Sequence, residues 1–87
     1  MRYKILGQHE ALQIGSGNGS NFGSATVVRV YNEHNANTVV SIEDSSANLI
    51  GTFTLKTGDK EFVEKNPTDE IFVNTGSVKG VGVAITT

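Results

Sequence analysis

The stretch NLIGTFTLKTGDKEFVEKNPTDEI, residues 48–71, decides the fold class. Its first part alternates, with Leu49, Phe53 and Leu55 set against Thr52 and Thr54. A Lys56-Thr57-Gly58-Asp59 turn follows, in which Gly58 supplies the positive φ that tight turns demand. A second alternating run, 60–65, leads into Asn66-Pro67-Thr68-Asp69. Pro67 is the single proline. It has no N–H to give to a ladder, so it ends a strand or sits in the turn beyond it. A period of two marks strands with one buried face, and the helical period of 3.6 is missing.

The same rhythm runs outward in both directions. Strands are expected at about 3–6, 11–14, 25–31, 38–44, 49–55, 60–65, 70–73 and 78–86. Alternation sends Val28, Val30, Val40, Ile42, Phe62, Ile71 and Val73 inward, together with Leu49, Phe53, Leu55, Val81, Val83 and Ile85. It sends Arg29, Tyr31, Ser41, Glu43, Gly80, Gly82 and Ala84 outward. Antiparallel strands with one greasy side close a core by stacking two sheets face to face. The expected fold is all-β: a small antiparallel β-sandwich, Ig-like or jelly-roll-like, of about eight strands. The polar residues 44–48 predict a hairpin. Residues 1–23 read as an N-terminal hairpin or arm carrying a glycine-rich loop, and 24–87 as the sandwich body, within a single domain.

Composition narrows the jobs available. A chain of 87 residues buries a modest core. It has no cysteine, so disulfide staples and thiolate zinc sites are excluded, and extra stability must come from packing or partner chains. A thiol-free chain fits assembly in a cytosol. The net charge of -2, with acids and bases intermixed, argues against nucleic acid as a partner. No apolar run approaches the roughly 20 residues of a membrane span, so no membrane association is expected. The N-terminus begins like a signal peptide but lacks its apolar region.

The segment GSGNGSNFG, residues 15–23, fails as a phosphate loop. No Gly-Lys-Ser/Thr follows, and the next element reads as strand. It also lacks the Asp of a calcium-binding repeat. It reads as a flexible connection, or as a contact loop for another chain, with Phe22 as its anchor. Asn18-Gly19-Ser20 matches a glycosylation sequon, which has meaning only in a secreted protein.

Catalysis needs a nucleophile with a base, paired carboxylates or a metal. His9 and His34 both fall in polar turns. Glu43, Asp44, Asp59, Glu61, Glu64, Asp69 and Glu70 are spread over turns and outward faces, as solvated acids are. No spacing suggests zinc, and only turn residues such as Asp59 and Asp69 could offer a weak calcium site. No catalytic residue, cofactor or metal is therefore expected. Contact with a partner is the remaining role. Tyr31 beside Arg29 is its best candidate, joined by Tyr3 and Phe22, because Tyr and Arg are common interface anchors.

Residues 24–87 resemble small virion structural proteins of tailed bacteriophages, especially those of marine and cyanobacterial hosts. The resemblance is carried by Ala25, Thr26, Val28, Arg29, Val30 and Asn32, then by Gly51, Phe53, Leu55 and Gly58. Glu64, Lys65, Pro67 and Asp69 form an E-K-x-P-x-D turn, and Val81, Val83 and Ile85 close the pattern. Residues 1–23 fall outside it. The resemblance implies a non-enzymatic, copy-rich protein of the virion, assembled in the host cytoplasm, as a capsid decoration or cement protein or a tail component. It would dock on the major capsid protein or another virion protein and form a homo-oligomer of closed cyclic symmetry, such as a trimer. The alternative is a carbohydrate- or host-surface-binding module on a tail or fibre protein.

Overall fold

A computed structural model describes residues 2–86; residues 1 and 87, the ends of the expected arm and body, lie outside the described residues. The chain forms β1 (Arg2–Ile5), β2 (Glu10–Ala11), β3 (Val27–Asn32), β4 (Thr38–Glu43), β5 (Leu49–Leu55), β6 (Lys60–Glu64), β7 (Glu70–Val73) and β8 (Val78–Thr86). No helix occurs among the described residues. One sheet has the order β1-β8-β3-β6, with β2 also paired to β8, and the other has the order β5-β4-β7. All the ladders are antiparallel. The all-β fold expected from the alternation is therefore present.

The sheets enclose one core. Val28, Val30, Val63 and Val78 from the larger sheet pack with Val40, Leu55, Ile71 and Val73 from the smaller. Leu12 and Ala25 complete the buried cluster, and Phe22, Ile42 and Phe53 pack against it. The 44–48 turn joins β4 to β5 as the expected hairpin.

The N-terminal hairpin does not form. β1 pairs with β8 from Tyr3↔Ile85 to Ile5↔Val83, and β2 pairs with the same strand at Glu10↔Gly80 and Ala11↔Lys79. From Ile5 to Glu10 the chain advances five residues while β8 advances three, so two residues bulge out. The two short strands are one interrupted edge strand. The strand expected at 11–14 is cut short, and Ile14 makes only an isolated parallel bridge to Val73.

Face assignments need three corrections. In β8 the faces are inverted. Val28 pairs with Gly82 and Val30 with Gly80, and directly opposed residues share a face, so these glycines line the core. A Cβ at Gly80 would sit 2.9 Å from Leu12 Cδ1 and Phe22 Cζ, and one at Gly82 would sit 2.9 Å from Ala25 Cβ. The glycines leave room for those side chains, and Val81, Val83 and Ile85 are turned to the outer face. In β6, Val63 opposes Val28 and points inward, so Phe62, opposite Arg29, points outward. In the smaller sheet Ser41 and Glu43 are buried rather than in water. A bulge between Ile42 and Glu43 pairs Glu43 with Leu49, which takes Leu49 off the core face and leaves it 63% exposed.

Candidate docking surface

The outer face of the larger sheet is built from alternate residues of four strands. Register places Arg29 between Phe62 of β6 and Val81 of β8, and places Tyr31 between Lys60 and Lys79. Tyr3 opposes Ile85, and Ile5 opposes Val83. Tyr3 and Phe62 stand on strands separated by β8 and β3, yet their rings meet edge to face with centroids 5.1 Å apart and an interplanar angle of 66°. Val81 and Val83 are buried on this face, although no second sheet covers it. Tyr3, Ile5, Tyr31 and Ile85 remain exposed on it.

Arg29 is half-buried. Its Nε is shielded from solvent and has no hydrogen-bond partner. The nearest ion pair on the face is Lys79 with Glu33 at 3.2 Å, and Arg29 forms none among the described residues. A shallow cleft of about 230 Å³ opens beside it, lined by His9, Arg29, Tyr31, Glu33, Lys79, Gly80 and Val81.

Three of the four expected contact residues, Tyr3, Arg29 and Tyr31, thus come together on one face. Phe22 does not join them. It lies on the opposite side of β8, against Leu12 and Gly80 in the core. Sequence reasoning missed Phe62, because alternation was counted in the wrong phase along β6.

The β4–β5 tip is a second exposed apolar feature, also missed. Leu49 and Ile50 are 63% and 57% exposed. The turn beneath them is held by Asp44. Its Oδ1 accepts from the backbone N–H groups of Ser46 and Asn48 at 2.9 Å each, and its Oδ2 accepts from Asn48 Nδ2 at 3.2 Å. The Asn48 N–H leads the donors that hold the Asp44 carboxyl below the ordinary aspartate range. Ala47 closes the turn with φ at +65°.

The glycine-rich segment is a packed strap rather than a free linker. Gly15 N–H donates to Val73 O, and Ser20 and Ile71 exchange backbone hydrogen bonds. Ser16 Oγ donates to Glu43 Oε2 at 2.8 Å, and Gly17 N–H donates to Glu43 Oε1 at 2.7 Å. The buried Glu43 carboxylate is satisfied by this strap, and the positive φ of Gly15 and Gly17 gives the strap its shape. The strap also occupies the free edge of β7, which would otherwise offer unpaired backbone groups.

The E-K-x-P-x-D turn has a structural explanation. Lys65 Nζ donates to Ala25 O at 2.7 Å, Asn66 O at 3.2 Å and Pro67 O at 3.4 Å. Asp69 Oδ2 accepts from Asn66 N–H. Burial pushes the Lys65 ammonium below its ordinary value, while Asp69 pulls the other way. Asp59 lies in the turn at the opposite end of β6, so the two aspartates proposed for calcium do not converge. No group of three or more His, Cys, Asp or Glu able to hold a metal occurs among the described residues. His34 packs on Gly76, whereas His9 lines the cleft beside Arg29. No helix of the structure is long and apolar enough to cross a membrane.

Comparison with known proteins finds no match: no family model, no curated protein and no solved structure is significantly similar to this chain.

Proposed function

We propose that this chain is a non-enzymatic structural protein of a phage particle, a capsid decoration or other virion surface component that works by docking on protein. One observation carries the reading: Tyr3, Arg29 and Tyr31 share an uncovered apolar sheet face. Tyr and Arg set in apolar surroundings are the residue types that dominate interface energy. Contiguous apolar surface on so small a chain marks an interaction site. The partner is the major capsid protein or another virion protein, and the setting is the particle.

Co-sedimentation with phage particles tests this. The purified chain should travel with particles, and Arg29→Glu or Tyr31→Ser should abolish the association while circular dichroism stays unchanged. Binding to glycans with no binding to particles would overturn the reading in favour of a host-surface module.

A further inference from the structure

We propose that copies of this chain assemble head to tail, with the β4–β5 tip of one copy seated on the outer face of the larger sheet of the next. The inference rests on the docking reading and names its first partner as the chain itself. Two unlike apolar surfaces carry it. One is the projecting tip of Leu49 and Ile50; the other is the face around Arg29 and Tyr31.

Their charges are complementary. Arg29 has no acid partner among the described residues, and the tip turn presents the ionised Asp44 at its base. The cleft of about 230 Å³ beside Arg29 has Tyr31 and Val81 as apolar walls, which suit aliphatic side chains such as Leu49 and Ile50. The tip is stiffened by the Asp44 hydrogen bonds, so little order is lost on docking. A face-to-face pairing of two larger sheets is less well matched. It would bring Arg29, Lys60 and Lys79, which share that face, against the same cations of the copy, with only Glu64 and Glu33, the latter already paired to Lys79, opposing them. A contact between two different surfaces propagates and closes into a ring when its rotation allows.

The test is complementation by mixing. Sedimentation velocity of the full chain over a concentration series should show a species larger than a dimer. The tip variant Leu49→Ser/Ile50→Ser and the face variant Arg29→Glu should each be monomeric. Mixed in equal amounts, they should give a one-to-one complex and nothing larger, because one intact tip and one intact face remain. Tyr31→Ser serves as a second face variant should Arg29→Glu disturb the sheet. A wild-type chain that stays monomeric throughout, or variants that fail to complex when mixed, would overturn the inference. A monomer that still co-sediments with particles refutes this assembly and leaves the docking reading standing; a ring that binds no particle does the reverse.

Discussion

Tyr3 and Phe62 come from strands on opposite sides of β8 and β3, and their rings meet edge to face at 5.1 Å. The contact ties the two flanks of the larger sheet together on the side that no second sheet covers. Such a pair contributes about 0.5–1.5 kcal/mol beyond its area burial. A double-mutant cycle with Tyr3→Leu and Phe62→Leu, read by urea unfolding, should return a coupling energy of about that size. Additive losses would show that the rings act independently.

Gly82 faces the core, and a methyl group there would meet Ala25 Cβ at 2.9 Å and Phe22 O at 3.1 Å. Neither neighbour can swing aside as a long side chain can. Gly82→Ala should therefore cost about 1–3 kcal/mol, the range for overpacking. Gly80→Ala should cost less, since Leu12 and Phe22 present the ends of rotatable side chains. Chemical denaturation of both variants checks the order.

Glu43→Ala should free the glycine strap. The substitution removes the acceptors of Ser16 Oγ and Gly17 N–H, and a hydrogen bond to a charged group contributes about 1.5–3 kcal/mol. Amide exchange should accelerate across residues 15–20 far more than in β3. Uniform acceleration over the whole chain would contradict a local strap.

Lys65 gives a pH signature. Its folded pKa lies below the ordinary 10.5, so between those two values the unfolded chain binds more protons than the folded one. Stability contributed at this site must then rise with pH across that window. Lys65→Met removes the titration and strands the carbonyls of Ala25, Asn66 and Pro67. The variant should lose about 1–3 kcal/mol at neutral pH, and the gap to the wild type should widen as pH climbs toward 10.5. A gap that narrows would mean the ammonium is favoured by folding.

The 44–48 turn can be improved. Ala47 holds φ at +65°, a conformation that costs a side-chain-bearing residue about 1–2 kcal/mol. Glycine avoids that strain but loses about 0.5–1 kcal/mol of chain entropy. Ala47→Gly should therefore raise stability by about 0.5–1 kcal/mol, visible as a higher Tm. The Asp44 carboxylate supports the same turn, and because its folded pKa is lowered, that support is present above pH 3.8 and lost as pH falls through the folded value.

Much of the fold was legible because a period of two survives single errors. β5, β7 and β8 have the expected bounds, and β1, β3, β4 and β6 are displaced by one or two residues at one or both ends. What failed was phase. Gly80 and Gly82 face the core because Phe22 and Leu12, remote in sequence, fill the space above them. An alternation count cannot register that contact, and valines are ordinarily assigned to the interior. The bulge at Ile42/Glu43 flipped Leu49 in the same silent way. Tyr3, Arg29 and Tyr31 could be named from residue type, but their meeting on one face depends on β1 pairing with β8, a contact between the two ends of the chain. The strap around Glu43 left a signal that went unread: an acid in a strand whose other residues are apolar or small calls for donors, and the glycine-rich segment supplies them.

In the function proposed, the outer face of the larger sheet is where this protein meets other protein. Hydroxyl-radical footprinting of the chain, free in dilute solution and then bound on intact particles, addresses it most directly. Tyr3, Tyr31 and Ile85 should lose reactivity on the particle while Thr57 and Pro67, in the turns flanking β6, keep theirs. Full reactivity of Tyr3 and Tyr31 in the bound state, with protection elsewhere, would contradict it.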